Sequence, residues 1–384
     1  VRELKMLVLG CGMMGTAMAL DLAGDEGVSH VICADYDRAQ VEGLVARVKS
    51  EKVSGLRADV KDVEATRRLM RDVDVVLCAL PEGLNAFAAR AAVRAGVSMV
   101  DLAYGDRLLE MDGPARRARI AIVPDCGVAP GITNILAARG ASLMDEVEDI
   151  RIVCGGLPQR PVPPLGYRIT WSTRGLINMY CGKARVMRDG RVVEVDAMSG
   201  LERVKFPFVG ELEAFTTDGL STLLVTLKRR VRNMVEKTAR YPGHAEKILA
   251  MRDAGLLSAE PVEIDGRKVV PREVAISVLD KALRLGDERD VTVLRADVLG
   301  RRDGRRARQS FVMVDFFDER RGMTSMARTT GYTAAIVARM VAKGEIKGKG
   351  LVPPETALAT AYDRFVSELG KRGIKIRETS GLTG

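Results

Sequence analysis

The chain has little of what metal and nucleic-acid chemistry draw on. Its 384 residues include two histidines, His30 and His244, one tryptophan and only 4% aromatics. Two imidazoles with no Cys/His spacing of the ligand kind leave a metal site without support. Cys11, Cys33, Cys78, Cys126, Cys154 and Cys181 all fall in the first half, with no C-x-x-C pair. The first three sit in or beside strand-like runs, so reduced structural thiols are expected. No apolar run approaches the roughly 20 residues that span a bilayer, and the N-terminus reads as a strand rather than a leader peptide. A cytoplasmic protein with no membrane partner is therefore expected. Four asparagines and three glutamines stand against 60 Lys and Arg and 51 Asp and Glu, a bias expected of a thermophile chain. It accounts for the net charge of +9 without a nucleic-acid partner. The densest basic cluster, Arg301 to Arg308, centres on Asp303-Gly304 between two strand-like runs and has no interleaved aromatics, so it reads as a hairpin tip.

What is present is concentrated at the start. Lys5 to Leu9 reads as a buried strand and runs into Gly10-Cys11-Gly12-Met13-Met14-Gly15, a G-x-G-x-x-G. Gly10 permits the tight strand-to-helix turn, Gly12 lets the backbone approach a pyrophosphate, and Gly15 lets the following helix pack on the strand. A second buried strand ends at Asp35, 20 residues after Gly15, where a carboxylate accepts ribose hydroxyls. Strand, glycines, helix, strand and acid in that order predict a nicotinamide dinucleotide site. Asp35 would repel a 2′-phosphate, which favours NAD over NADP, although Arg38 lies close by in sequence.

Strand and helix patterns then alternate as far as Ile120 to Val123, the mark of a doubly wound parallel sheet. Ligands of such sheets lie beyond the carboxyl ends of the strands. That position makes Asp59, Leu80, Pro81 and Asn85 cofactor candidates with Met13, Met14 and the glycines, and makes Asp101, Tyr104 and Asp125 site candidates. From about Val147 strands come in runs, including Leu165 to Trp171, Glu211 to Thr216, Val291 to Leu299 and Ser310 to Phe317, which predicts a largely antiparallel sheet with helices on one face. The expected architecture is a Rossmann domain over 1–130, completed by about 325–384 and closing a cleft, with an α+β catalytic and dimerisation domain over 131–324. A homodimer is the expected assembly.

Several segments resemble the saccharopine dehydrogenase-like superfamily. Pro124 to Leu136 is similar to its P-x-x-G-x-x-P-G-x-x-N-x-L segment. Gly155-Gly156-Leu157-Pro158, Pro163-Pro164-Leu165-Gly166-Tyr167 and Trp171-Ser172-Thr173-Arg174-Gly175 resemble its G-G-[LI]-P, P-P-L-x-Y and W-S-x-x-G signatures. The resemblance continues through Glu213-Ala214-Phe215, Arg240 to Lys247 and Ala327 to Thr333, nearly the whole chain. Saccharopine enzymes carry an arginine in the segment aligned with Phe215 to Ser221, and here that stretch has none. With His244 where those enzymes usually place an aromatic, the pattern looks like the L-lysine 6-dehydrogenase branch.

The resemblance implies NAD-dependent oxidation of an amino-acid substrate, lysine, at its ε-carbon. The resulting imine would hydrolyse to 2-aminoadipate 6-semialdehyde and ammonia, with cyclisation to piperideine-6-carboxylate. Only the neutral amine can release a hydride, and a free ε-ammonium has a pKa of about 10.4, so a base is needed. His244 is the first choice for proton transfer, against a role capping its own helix; Tyr104 and Asp101 follow. Arg240 or Arg174 would clamp the α-carboxylate. Cys154, Gly155, Trp171 and Thr217 would line the pocket. A saccharopine-type reductase acting on a secondary amine, or an inactive cofactor-binding sensor, are the alternatives.

Overall fold

The computed structural model describes residues 3–81, 83–103 and 106–382. Tyr104 lies outside them. The chain divides into two units: residues 1–139 with 327–374, and residues 140–326 with 375–384.

The first unit is built on a parallel sheet of strands β1 (Leu4–Leu9), β2 (Val28–Asp35), β3 (Val53–Arg57), β4 (Val75–Cys78), β5 (Ser98–Asp101), β6 (Ala121–Val123) and, from late in the chain, β17 (Gly350–Leu351). Their order is β17-β6-β5-β4-β1-β2-β3. It reverses direction at β1, so the glycine loop that follows β1 lies at the switch point where such sheets bind ligands. Met6, Leu7, Val8, Val75, Val76 and Leu77 have no exposed surface, as strands covered on both faces require. Helix Asn85–Ala95 buries Ala86, Ala88, Ala89, Ala91 and Ala92, small side chains that let it approach the sheet closely, and ends at Gly96 with φ 71°. Residues 327–374 group with this unit. Buried Arg339, on helix Ser325–Ala342, makes ion pairs with Asp21, Asp25 and Glu368, and Arg372 joins Asp21 to Glu368, tying the late helices to helix Met13–Ala23.

The second unit holds a mixed sheet of β7 (Glu146–Pro158), β8 (Lys183–Arg188), β9 (Arg191–Asp196), β10 (Glu202–Phe206), β11 (Gly210–Thr216), β12 (Val231–Arg240), β15 (Asp290–Arg302), β16 (Arg305–Phe316) and β18 (Ile376–Leu382). Strands β13 (Val262–Ile264) and β14 (Arg267–Val269) form a separate hairpin. The main order is β10-β11-β12-β7-β15-β16-β18, antiparallel except that β12 runs parallel to β7. The basic cluster is the β15–β16 hairpin tip, turning at Asp303 (φ 52°) and Gly304 (φ 71°), the paired left-handed geometry that a two-residue turn needs. Leu165 to Trp171, read from the sequence as a strand, is not one. Turns over 163–166 give way to an isolated bridge between Ile169 and Arg284, because Pro163-Pro164 and left-handed Gly166 (φ 65°) interrupt extension. Ser172 then starts helix Thr173–Cys181, its hydroxyl accepting from Gly175 N at 3.1 Å.

Candidate functional site

The three loop glycines answer to three constraints. Gly10 has φ 97°, and a Cβ there would lie 2.6 Å from the Ala79 carbonyl oxygen. At Gly15 a Cβ would lie 1.8 Å from the Gly10 oxygen. At Gly12 it would meet nothing within 4 Å, so the open space left by that glycine belongs to whatever approaches the loop. Helix Met13–Ala23 begins there with no side-chain cap and no acid in its first turn. Its positive dipole end is therefore left for an anion, and a dinucleotide pyrophosphate fits. Met13 is exposed and Met14 half-buried beside it.

Asp35 ends β2 facing the loop: Cys11 N donates to Oδ2 at 2.7 Å and Asp37 N to Oδ1 at 3.0 Å. These bonds hold its charge where a ribose edge would come. Arg38 is occupied by Glu42 in an exposed pair at 2.7 Å. Asp59 is exposed and accepts from Lys61 N. After β4, Leu80 is half-buried and Pro81 exposed, whereas Asn85 is buried at the start of its helix. Asp101, at the end of β5, is fully buried, and burial pushes its carboxyl up to about 7 against the opposing hydrogen bond from Ala103 N. Asn85 and Cys78 lie beside the carboxyl and also oppose the shift.

The second unit brings the candidates Arg240 and Cys154 together at β12 and β7. Alternate residues Glu236, Thr238 and Arg240 share one face of β12, and Cys154 on β7 pairs with Thr238 in register. Arg240 is 2% exposed, donates through Nε to Tyr180 Oη at 2.8 Å and through Nη1 to the Ala239 carbonyl at 2.8 Å, and lies 4.5 Å from the Tyr167 ring centroid. It makes no ion pair among the described residues, so a buried guanidinium stands without an acid.

His244 is sealed beneath it, 1% exposed, with Phe215 stacked on its ring and Tyr167 and Tyr180 edge-on. Nδ1 lies 3.0 Å from the Leu165 carbonyl and Nε2 3.1 Å from Tyr180 Oη. A carbonyl has no proton to give, so Nδ1 carries the hydrogen and Nε2 accepts from Tyr180, which itself accepts from Arg240. Burial, and then the charge of Arg240, lower the imidazole to about 3. Both nitrogens are engaged with the ring neutral, an arrangement that orients Tyr180 and Arg240. The helix His244–Asp253 is not capped by His244 but by Glu213, whose carboxylate accepts from Gly243 N at 3.0 Å and Ala245 N at 2.6 Å. That contact joins the Glu213 segment to the Arg240-to-Lys247 segment.

Arg174 stands elsewhere, exposed and matched bidentately by Glu273 at 2.7 and 2.6 Å, so its fork is already filled. Trp171 is 42% exposed and packs over Gly175. Gly155 allows close approach to β12, since a Cβ there would lie 2.5 Å from the Ala239 oxygen. Cys154 is buried, and burial followed by the charge of Glu236 pushes its thiol up, which disfavours thiolate chemistry. Thr217, also buried, donates to Glu236 Oε2 at 2.6 Å and lies 2.8 Å from Thr238 Oγ1. Sequence reasoning passed over Glu236, Thr238, Tyr180 and Tyr167.

Compared with known proteins, residues 6–123 match the saccharopine dehydrogenase NADP binding domain and residues 127–374 match the saccharopine dehydrogenase C-terminal domain. The chain belongs to the saccharopine dehydrogenase family. Among this family, the saccharopine dehydrogenase [NADP(+), L-glutamate-forming] of Saccharomyces cerevisiae is 25% identical, covering 97% of this chain and 98% of its own. The carboxyaminopropylagmatine dehydrogenase of Synechocystis is 23% identical over 97% of both. The solved apo saccharopine dehydrogenase of S. cerevisiae superposes with a TM-score of 0.81 at 24% identity, covering 98% of this chain and 100% of that one. A homospermidine synthase of Legionella pneumophila in complex with NAD gives 0.69 at 11% identity, covering 100% and 93%. These two likenesses establish the fold.

Proposed function

We propose that this family member is an NAD-dependent dehydrogenase that oxidatively deaminates the ε-amine of L-lysine to 2-aminoadipate 6-semialdehyde, which cyclises to piperideine-6-carboxylate, with release of ammonia. The observation that carries the reading is Arg240. An unpaired buried cation costs several kcal/mol, roughly, unless a ligand neutralises it, and a guanidinium with two N–H groups already fixed is oriented to receive a carboxylate. A single guanidinium so placed matches the single amino-acid arm of lysine. Saccharopine, with two such arms, calls for more, and Arg174 and Arg185 are committed to Glu273 and Asp218.

Asp35 supports NAD, because its fixed carboxylate would repel a 2′-phosphate, although the yeast relative is named for NADP(+). When bound, the nicotinamide supplies the hydride acceptor. Gly10, Gly12 and Gly15 seat the phosphates, Arg240 holds the carboxylate, and Tyr180 with His244 fixes the plane of Arg240.

The test is to incubate the protein with NAD+ or NADP+ and either L-lysine or saccharopine, following reduced cofactor and ammonia. Lysine-dependent reduction of NAD+ with ammonia release supports the reading. Turnover of saccharopine alone sinks it, and a preference for NADP+ overturns the cofactor assignment. Cofactor binding without turnover of either amine favours a sensor.

A further inference from the structure

We propose that Glu236 is the base that takes the proton from the reacting amine. The inference rests on the amine-dehydrogenase reading above, whether the amine is that of lysine or of saccharopine. Glu236 is 4% exposed, shares its strand face with Arg240, and makes no ion pair among the described residues. Two buried ionisable groups of opposite sign, not paired with each other, stand four residues apart on one strand, a Cα spacing of roughly 13 Å. Arg240 bends back onto the Ala239 carbonyl, and the Thr217 hydroxyl touches both Glu236 Oε2 and Thr238 Oγ1, so the two side-chain ends stand within that span. The six bonds from lysine's carboxyl carbon to its ε-nitrogen, each about 1.5 Å, extend in a zigzag to roughly 7 Å. A contact of about 3 Å at each end brings the bridged distance to roughly 13 Å. A zwitterionic chain with its carboxylate on Arg240 therefore has Glu236 within reach of its amine.

The carboxyl is held for the task. Thr217 fixes Oε2, and Gly219 has no side chain because a Cβ there would lie 2.6 Å from Glu236 Cδ and Oε2. Burial pushes the group up to about 8, with Asp218 adding to it against Thr217 and Arg240. That value suits a base acting on an ammonium of pKa about 10.4 far better than His244 near 3. In the step, the substrate N–H bond breaks, its electron pair stays on nitrogen, and the proton forms an O–H bond on Glu236. The freed lone pair then forms the C=N bond as the hydride passes from carbon to an oxidised nicotinamide, which leaves an iminium ion for water to hydrolyse.

The experiment compares wild type with Glu236→Gln, Glu236→Asp, Gly219→Ala and Asp101→Asn, using whichever of L-lysine and saccharopine the wild type oxidises. Melting temperature and cofactor titration confirm that each variant is folded and loaded. Glu236→Gln is expected to lower kcat by about 10²- to 10⁴-fold and to remove the limb of the kcat/KM profile that rises through about 8. Glu236→Asp should restore part of the rate, and Gly219→Ala, which displaces the carboxyl without altering its charge, should lose about tenfold while keeping a titrating limb. The proposal is overturned if Glu236→Gln stays within about threefold of wild type, if the limb survives it, or if Asp101→Asn removes the limb instead. A wild type that oxidises only saccharopine defeats the lysine reading while the same variants still decide the role of Glu236. Oxidation of neither defeats both.

Discussion

Replacing Arg240 separates binding from stability at one buried charge. In the folded protein Nε and Nη1 are held by Tyr180 and the Ala239 carbonyl. Each such charge-assisted bond is worth about 1.5–3 kcal/mol. In Arg240→Met those bonds are lost, but so is the desolvation cost of a cation with no acid beside it, and the methionine stem still fills the space against Tyr167. The two effects oppose, so the melting temperature should move little. Substrate binding has no such offset. Truncating one partner of a buried, hydrogen-bonded charge pair costs about 2–5 kcal/mol, which at 1.4 kcal/mol per tenfold raises KM for L-lysine by about 30-fold to several thousand-fold. Arg240→Lys keeps the charge but loses the planar fork and should fall between wild type and Arg240→Met. The assay is steady-state cofactor reduction with lysine and with 1,5-diaminopentane, which lacks the carboxylate. Wild type should prefer lysine strongly, and Arg240→Met should lose that preference through lysine alone. A KM for lysine within threefold of wild type in Arg240→Met, or a preference for lysine that survives the substitution, would refute the carboxylate assignment.

Further outcomes follow from other sites. Gly12→Ala, with nothing within 4 Å of the new Cβ, should melt like wild type yet lose about tenfold or more in cofactor affinity, whereas Gly15→Ala, whose Cβ would lie 1.8 Å from the Gly10 oxygen, should lower the melting temperature; calorimetry and cofactor titration distinguish them. His244→Phe strands the Leu165 carbonyl and the Tyr180 hydroxyl and is expected to cost about 2–4 kcal/mol of stability, with a kcat/KM pH profile of unchanged shape; loss of a titrating limb would return the base role to His244. Glu368 is opposed by burial but held down to about 2 from 4.5 by Lys371 and Arg372. A depressed carboxylate stabilises fully above its unfolded value, so melting temperature should fall as pH drops from about 4.5 toward 2, and Glu368→Gln should flatten that slope. Glu236 has the opposite sign. Its raised value makes stability fall as pH rises from 4.5 to about 8, so Glu236→Gln should gain in melting temperature over wild type at pH values above that range.

The glycine loop, Asp35 and the alternating first domain were legible in the chain because each rests on local rules. A G-x-G-x-x-G works through backbone conformation and steric clearance over six residues, and a doubly wound sheet repeats one buried strand pattern. Arg240 and His244 were also marked by sequence, Arg240 with Arg174 as a carboxylate clamp and His244 for proton transfer. The surroundings of His244 were not legible, because they depend on Leu165 and Tyr180, 79 and 64 residues away in the chain, which occupy both imidazole nitrogens. Strand β12 went unread because it carries Arg232, Asn233, Glu236, Lys237 and Arg240, a composition typical of exposed loops. Placing it between β11 and β7 buries its polar face, and only then does Glu236 stand as a desolvated carboxylate in line with Arg240. Likewise Ile376 to Leu382, grouped from sequence with the first domain, runs antiparallel along β16 in the second unit. Sequence by itself determined the doubly wound first unit and its glycine loop, through residues that act on their immediate neighbours. Tertiary structure decided which charges are left unpaired, because desolvation and hydrogen-bond occupancy are properties of residues brought together from distant parts of the chain.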